Sequence, residues 1–153
     1  MDIRLATLND IEPICKLYHE FWCYGAGLQP KYYKEAHDSG EYPRNTITID
    51  ASDIFVAESN SEIVGFIHVR ESKTSPYDAI VQYNYAEIID FIVTAPHRRK
   101  GVGLLLMNAA KEWSVSRNLD YIELFVLSDA KGEKNFYEQY GFDDVSHTMR
   151  YPL

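Results

Sequence analysis

The order of apolar and polar positions predicts short strands alternating with helices. Five segments are dominated by β-branched and aromatic residues, which favours strands. The polar stretch 59–62 between two of them predicts a hairpin turn. From Val102 to Trp113, apolar residues recur at three- and four-residue spacing, which predicts a helix with one wide apolar face. The predicted strands are 2–6, 53–58, 63–69, 80–93 and 119–127.

Three further helices are expected around these strands. Asn9 or Asp10 is expected to cap a first helix that runs to about Tyr24, where Gly25-Ala26-Gly27 ends it. A shorter helix is expected from Pro30 to about His37. The last helix, from Glu133 to Tyr140, is expected to end at Gly141 and to precede a closing strand at 142–151.

The connections predict the topology of the sheet. The strand 119–127 follows a strand and a long helix, so it is expected to lie parallel to the strand 80–93 through a right-handed crossover. The strand 80–93 is unusually long and leaves room for a bulge. Without a bulge, alternation would place Tyr83, Tyr85, Glu87, Ile89, Phe91 and Val93 on one face.

Composition narrows the class of protein. A chain of 153 residues is long enough for one domain with a core and too short for two, so we expect a single domain over 1–153. The residues are 46% apolar and 25% charged, as in ordinary globular proteins, and no apolar run is long enough to cross a bilayer. No secretory leader is recognised, which favours a cytoplasmic location and no membrane partner. The net charge of −8 argues against nucleic acid, because such binders carry a broad basic face.

The cysteines and histidines predict neither a disulfide nor a metal site. Cys15 and Cys23 lie in one predicted helix, roughly 12 Å apart along its axis at about 1.5 Å per residue, so both are expected to be reduced. Cys15 and His19 have the spacing of a thiol and its base, but no third group completes a catalytic set. The five histidines show no ligand spacing, and no metal is predicted.

The segment His97–Gly103 is the strongest candidate for a binding site. It joins a predicted strand to a predicted helix and contains three basic residues followed by two glycines. Glycine lets backbone N–H groups approach a ligand, and a helix start carries unpaired donors and partial positive charge. This combination favours an anion, above all a phosphate. The alternative is an ordinary strand-to-helix connection whose basic residues face water.

Two motifs resemble those of one enzyme superfamily. Arg98-Arg99-Lys100-Gly101-Val102-Gly103 is similar to the (Gln/Arg)-x-x-Gly-x-(Gly/Ala) loop of the GNAT acetyltransferases. Asn135-Phe136-Tyr137-Glu138-Gln139-Tyr140-Gly141-Phe142 resembles the short helix ending in Tyr-Gly-Phe that forms their second signature. The resemblance implies a mixed α/β (α+β) fold with about four helices around a mostly antiparallel, twisted sheet of six to seven strands. Its fourth and fifth strands are parallel and splay apart.

The resemblance also implies how acetyl-CoA, the co-substrate, would bind. The pantetheine arm would lie between the splayed strands against Phe91, Ile92 and Val93. The pyrophosphate would meet the loop, with contacts from Arg98, Arg99, Lys100, Gly101, Val102 and Gly103. Many members have an asparagine and a small residue shortly before the catalytic tyrosine, where this chain has Ala130 and Glu133. A side-chain contact to the pantetheine arm would then have to come from Ser128, Asp129 or Asn135 instead.

Catalytic roles follow from the same comparison. Transfer to an amine needs a base, because a primary amine is mostly protonated at neutral pH. Glu87 stands eleven residues before Arg98, a spacing found in some members, and is the first candidate, while Asp90 is the second. A main-chain N–H near Phe91 would bind the carbonyl oxygen. Tyr137 would protonate the leaving thiolate and contact the cofactor, whereas Tyr140 is expected to pack or cap.

In the superfamily, the first two helices form the roof of the acceptor site. The resemblance therefore implies an acceptor site lined by aromatic residues of the first two helices and of the fourth strand. The predicted function is transfer of an acetyl group to a primary amine of a small molecule or peptide, and a homodimer is a reasonable default. Two alternatives stay open: a non-catalytic CoA or acyl-CoA sensor, and an enzyme that acetylates protein amino termini or lysines. The candidate acceptor residues are Phe21, Trp22, Tyr24, Tyr33, Tyr83 and Tyr85.

Overall fold

The computed structural model describes all residues, 1–153, and is built on one five-stranded sheet. The strands follow the chain order across the sheet, and every neighbouring pair is antiparallel except the last, which is parallel. The predicted parallel pair and the hairpin are thereby confirmed, although the sheet has five strands instead of six to seven. The strands are β1 (Asp2–Leu5), β2 (Ser52–Ser59), β3 (Glu62–Lys73), β4 (Asn84–Val93) and β5 (Ile122–Leu124).

Four helices cover the two faces of the sheet. They are α1 (Ile11–Leu28), α2 (Glu41–Ile47), α3 (Val102–Ser116) and α4 (Lys131–Tyr140). Helix α1 buries its apolar stripe against β2, β3 and β4, on what we call the α1 face, where α2 also packs. Helix α3 packs on the opposite side, the α3 face, together with aromatic residues of α4. None of the helices is both long and apolar enough to span a bilayer.

Each face of the sheet has its own apolar core. On the α3 face, Leu106 and Met107 of α3 are fully buried against Ile67 and Val64, as the helical spacing predicts. On the α1 face, Ile14 and other α1 residues meet large side chains of the central strands. Burying one such side chain contributes about 1.5–3 kcal/mol, so the two cores fix both helices against the sheet.

A bulge in β4 reverses which side chains share a face. His68 of β3 stands opposite Asp90, and the next residue, Val69, stands opposite Ile88, which leaves Ile89 without a partner. The room for a bulge in this long strand is therefore used. As a result Glu87 and Asp90 lie on the same face, the α1 face, whereas Phe91 packs on the α3 face.

Because of this bulge, the single face that uninterrupted alternation would give to Glu87, Phe91 and Val93 does not form. An extra residue in one strand of an antiparallel pair moves every later side chain to the other side. Val93, like Phe91, contacts the α3-face core, while Ile92 between them is buried in the core under α1.

The last two strands part soon after they meet. β4 pairs with β5 over only three residues, from Ala86 opposite Ile122 to Ile88 opposite Leu124. From Ile89 to Val93, β4 continues with no strand on that side. The predicted splay thus leaves a slot between the two strands, and the slot joins the α1 face to the α3 face.

Helix α1 continues past its predicted end at Tyr24. Gly25 lies inside the helix, and the carbonyl of Gly25 still accepts from the N–H of Gln29.

The predicted second helix, from Pro30 to about His37, is absent. Residues 30–37 form no helix, because their side chains are nearly all exposed and offer no apolar stripe to bury. The second helix instead begins after Gly40, whose φ of 87° suits glycine and whose added Cβ would lie 2.9 Å from Ile11 Cγ2.

Several strand ends also differ from the prediction. β4 begins at Asn84 instead of 80, because residues 81–83 fold over Thr74, whose hydroxyl donates to Val81 O and accepts from the N–H of Tyr83. β5 is shorter than 119–127, since it loses its partner when β4 diverges. The closing strand expected at 142–151 is absent, and this segment pairs with nothing in the sheet. Helix α4 does end at Gly141, with φ 114°.

The start of α1 is held by one buried carboxylate and not by the expected cap. Asp10 accepts from Arg4 Nη1 at 2.8 Å and from the N–H of Thr7 at 2.7 Å, and Thr7 caps the turn that leads into the helix. The guanidinium of Arg4 and these hydrogen bonds lower the pKa of Asp10 from 3.8 to about 2.

Replacing Asp10 with Asn is expected to lower the free energy of unfolding at pH 5 by about 2 kcal/mol. Because the folded pKa lies below the unfolded one, this stabilisation is complete above pH 3.8 and is lost as the pH falls toward 2. Urea unfolding at pH 5 and pH 2.5 measures it: wild type should lose more stability on acidification than Asp10→Asn. Glu12→Gln, in an exposed pair with Lys16, is the control and should change little. Equal pH dependence in wild type and Asp10→Asn would contradict the assignment.

Candidate active site at the slot between the fourth and fifth strands

The loop before α3 presents a run of free backbone donors. Arg99 and Gly101 have φ of 61° and 83°, and these left-handed residues turn the chain into the helix. None of the N–H groups from Arg99 to Leu104 donates within the chain; the first to do so is that of Leu105, to Gly101 O at 3.2 Å. Six consecutive donors at a helix start are suited to an anion with several oxygens, such as a diphosphate.

The three basic side chains of the loop differ in their contacts. Arg98 is held in place: its Nε donates to Val93 O at 2.8 Å, its Nη2 meets Glu20 at 3.3 Å, and the guanidinium lies 5.4 Å from the ring centre of Tyr24. Its backbone N–H donates to Ala95 O. Arg98 thus ties the loop to β4 and α1, whereas Arg99 and Lys100 are exposed and make no ion pair.

The first turn of α3 lies against the slot. A Cβ added to Gly103 would stand 3.4 Å from Cζ of Phe91 on β4 and 3.6 Å from Cζ of Phe136 on α4. The absence of a side chain at Gly103 therefore lets the helix start come close to both elements. The loop motif and the aromatic motif, separate in sequence, meet here.

Tyr137 is the polar group of this aromatic cluster. Its ring lies between those of Phe91, Phe136 and Phe142, with centroids 5.5–6.4 Å away. Its hydroxyl makes no hydrogen bond within the chain, and burial, with the charge of Glu133 as a lesser cause, raises the pKa of Tyr137. The phenol is therefore protonated and free to donate. Tyr140 instead donates to Asn108 Oδ1 at 2.9 Å, in agreement with a packing role.

Glu87 stands on the other face, at the paired end of the slot. Its Oε2 accepts from Arg70 Nη2 at 2.7 Å and from the hydroxyl of Ser72 at 2.9 Å. About a third of the side chain is exposed, and Oε1 makes no hydrogen bond. The carboxylate is thus oriented by two donors and still reachable from solvent.

Asp90 is the centre of a largely buried polar network, with Tyr42 as its exposed member, that sequence reasoning missed. Its Oδ2 accepts from the hydroxyl of Tyr18 on α1 at 2.8 Å and from that of Tyr42 on α2 at 3.3 Å. His68 Nδ1 lies 3.4 Å away, and His68 Nε2 is 2.8 Å from Ser52 Oγ. Burial and the charge of Asp90 raise the pKa of both tyrosines. No local signal could reveal this network, because its members come from five elements.

The candidate acceptor residues fall into two groups. Tyr83 and Tyr85 gather around Tyr121, which precedes β5: the Tyr85 and Tyr121 rings are stacked with centroids 4.9 Å apart. Tyr85 and Glu87 lie on the same face, so these rings border the candidate base. Tyr121 belongs with them and was missed, because only the pairing of β4 with β5 brings it there.

The candidates from the first helix are placed differently. Phe21 and Trp22 pack against the α1-face core, and Trp22 stacks on Tyr18. Tyr24 lies beside the loop instead, under Arg98, and burial with the neighbouring Glu133 raises its pKa to about 12. Tyr33 is 38% exposed in the segment after α1.

The remaining candidates have simple placements. Asn135 is exposed on α4 and makes no hydrogen bond, and Asp129 accepts from Gln29 Nε2 at 2.7 Å. Both cysteines are free thiols, as predicted. His19 lies 3.6 Å from Cys23 Sγ and stacks on His37, so the proposed pair of Cys15 and His19 is not formed.

Comparison with known proteins agrees with this geometry. Residues 13–142 match the model of the acetyltransferase (GNAT) family. An uncharacterised N-acetyltransferase of Methanocaldococcus jannaschii is 30% identical over 93% of this chain, which spans 60% of that relative's length. Another, from Archaeoglobus fulgidus, is 28% identical, with 90% of this chain and 89% of the relative covered.

Solved structures share the fold over the whole chain. A variant of the BH1408 protein from Bacillus halodurans superposes with a TM-score of 0.94 at 21% identity, with 100% of both chains covered. The aminoglycoside N-acetyltransferase AAC(6')-Iy in complex with CoA gives a TM-score of 0.76 at 14% identity, over 99% of this chain and 98% of the other.

Proposed function

The chain belongs to the GNAT family of acetyltransferases, and from this premise we propose that it transfers an acetyl group from acetyl-CoA to a primary amine of a small molecule or peptide. The amine would attack directly, with both substrates bound. The observation that carries the proposal is the row of six free N–H groups at the start of α3, beside a slot that opens to both faces of the sheet.

The loop and the slot together suit the shape of CoA. The amides from Arg99 to Gly103 bind the diphosphate, and the exposed Arg99 and Lys100 add positive charge to a chain of net charge −8. The pantetheine arm lies in the slot beside Phe91 and Val93. Ile92 is buried under α1, so it contributes only backbone groups.

Two side chains handle the protons, one on each face. Acetyl-CoA supplies the thioester, whose C–S bond breaks as the C–N bond to the amine forms. On the α1 face, Glu87 takes the proton that the attacking amine loses. On the α3 face, Tyr137 gives its proton to the departing thiolate, and the N–H of Phe91 donates to the carbonyl oxygen. Asp90 holds α1 and α2 on β4 and does not react.

The acceptor site lies on the α1 face near Glu87. Tyr83, Tyr85 and Tyr121 supply aromatic surface there, and Glu87 supplies negative charge for an amine. A fold relative, AAC(6')-Iy, has been solved with a bisubstrate analogue of CoA and acetylneamine, which supports a small amine as acceptor.

Gly101→Val tests the proposal. A β-branched residue at φ 83° is strained by about 1–3 kcal/mol, so the loop is expected to change its turn and to displace the amides. The affinity for CoA, measured by isothermal titration calorimetry, should fall at least tenfold. Gly101→Asn is the matched control: asparagine tolerates this conformation, and nothing lies within 4 Å of the added Cβ, so affinity should be nearly kept.

Unchanged affinity of the valine variant, with an unchanged melting temperature, would exclude this loop as the diphosphate site. Incubation with acetyl-CoA and a panel of amines, followed by detection of the released thiol, distinguishes an enzyme from a CoA sensor. A sensor would bind CoA and release no thiol with any amine.

A further inference from the structure

Gln29 carries the one buried side-chain atom of the chain that has no hydrogen-bond partner, its carbonyl oxygen Oε1. We propose that this oxygen accepts a hydrogen bond from an amide N–H of the pantetheine arm, in the outer end of the slot between β4 and β5. The inference rests on the proposed function, because it takes CoA as the ligand of the slot. Sequence reasoning drew its cofactor contacts only from β4, the loop and the residues in and before α4, so it missed Gln29.

The orientation of the Gln29 amide is fixed by its neighbour. Nε2 lies 2.7 Å from Asp129 Oδ2, and an ionised carboxylate only accepts hydrogen bonds, so the atom that faces Asp129 is the nitrogen. The oxygen faces away from Asp129 and is buried where no donor of the chain reaches it. A buried acceptor without a partner destabilises the free chain, which indicates a partner that the free chain lacks.

The last turns of α1 cross the outer end of the slot. On the β4 side, Tyr24 lies under the guanidinium of Arg98, which donates to Val93 O. On the other side, Gln29 meets Asp129, in the segment that joins β5 to α4. From Tyr24 to Gln29 the helix advances about 7.5 Å, at about 1.5 Å per residue. Two chains with room for one extended chain between them stand about 10 Å apart. The helix end therefore spans the space that an extended pantetheine arm would fill.

This end of α1 is held less firmly than the rest of the helix. No residue of α1 after Trp22 belongs to either apolar core. Its link to the segment after β5 is the hydrogen bond from Gln29 to Asp129, which lies at the surface. A pantetheine arm that enters the slot would part the helix end from this segment and bring an N–H to the buried oxygen.

The pantetheine arm is the ligand that fits this oxygen. It contains two amide N–H groups, and β4 from Ile89 to Val93 offers it backbone groups along one wall of the slot only. On the opposite wall, Ala130 has no polar side chain and Asp129 is bonded to Gln29. The acceptor amine is a poorer match, because its base, Glu87, lies at the other, paired end of the slot.

Isothermal titration calorimetry on the full chain tests the contact. Gln29→Met keeps the size of the side chain and removes the oxygen, so the affinity for CoA should fall about tenfold, because an N–H of the pantetheine arm is then buried without an acceptor. The affinity for adenosine 3′-phosphate 5′-diphosphate, which keeps the diphosphate and lacks the pantetheine arm, should stay the same. Gln139→Met is the matched control: Gln139 is exposed on α4, and this variant should bind CoA as wild type does.

Two CoA analogues, each with one amide of the pantetheine arm replaced by an ester, separate a direct contact from an effect on the fold. With one of these analogues, wild type and Gln29→Met should bind equally, since the N–H that Oε1 accepts from is already absent. With the other analogue, the tenfold difference should persist.

Equal affinity for CoA in wild type and Gln29→Met would overturn the inference and leave the proposed function standing. An equal loss of affinity for CoA and for the nucleotide without the pantetheine arm would show that Gln29 acts on the fold of the loop, and it would overturn the inference too. So would a tenfold difference that persists with both ester analogues. A wild type that does not bind CoA would overturn both the inference and the proposed function.

Discussion

Replacing Glu87 with Gln is expected to lower kcat/KM for the amine by about 10²–10³ at neutral pH, while the affinity for CoA stays the same. The amide keeps the size of the side chain and can still accept from Arg70 and Ser72, whose bonds to Oε2 are 2.7 and 2.9 Å long. It cannot take a proton. The loss in kcat/KM should become smaller as the pH rises, because a larger fraction of the amine is then neutral without the help of a base.

The pH dependence of kcat/KM, from pH 6 to 10, is the measurement that identifies the base. Glu123→Gln is the matched control: Glu123 stands opposite Glu87 in the pairing of β4 with β5, and the slot chemistry does not use it. It should keep nearly full activity. A uniform loss across the whole pH range in Glu87→Gln would assign Glu87 to binding instead of proton transfer.

Replacing Tyr137 with Phe is expected to lower kcat by about 10²-fold with little change in KM for acetyl-CoA. The hydroxyl has no partner in the chain, and its pKa is raised by burial, so it is present as a proton donor. Removing it breaks no hydrogen bond and leaves the packing against Phe91, Phe136 and Phe142 in place. The stability of the variant should therefore match that of wild type.

A change of leaving group gives this variant a second readout. In an acetyl thioester of a more acidic thiol, the departing thiolate needs less protonation. The difference in kcat between wild type and Tyr137→Phe should therefore be smaller with that thioester. Tyr140→Phe serves as the control, since it removes a hydroxyl bonded to Asn108 and is expected to leave kcat unchanged. An equal loss with both thioesters would remove Tyr137 from the role of acid.

The parts of the fold that sequence predicts well are those set by local chemistry. The helical spacing from Val102 gave α3 its correct start, and the turn with Asn60 and Ser61 at φ 52° and 64° is the predicted hairpin. The strand, helix and strand order required the parallel pair of β4 and β5. The loop and the aromatic motif meet at Gly103, as their resemblance to one family implies.

The parts that sequence missed depend on contacts between distant residues. Alternation in β4 is clear, but nothing local shows that Ile89 is skipped opposite His68 and Val69. This one residue decides that Glu87 and Tyr137 stand on opposite faces. In the same way, the sequence makes Asp90 a second candidate base, and only the structure shows that Tyr18 and Tyr42 donate hydrogen bonds to it.

The failed helix at 30–37 has a different cause. Its residues have helical propensity, but they find no apolar surface to cover, so propensity alone does not hold them. The missing closing strand is related, because residues 143–153 are exposed and bury no apolar surface, and a strand pattern alone forms no ladder.

The slot after Ile88 and Leu124 also bears on how specificity diverges among such enzymes. Because it opens to both sides of the sheet, the proposed mechanism brings the donor and the acceptor to the reaction centre from opposite directions. In the proposed arrangement, the aromatic residues that would line the acceptor site, Tyr83, Tyr85 and Tyr121, can change during evolution while the loop that would bind the nucleotide stays the same. Under that mechanism, a single donor site is compatible with many acceptors.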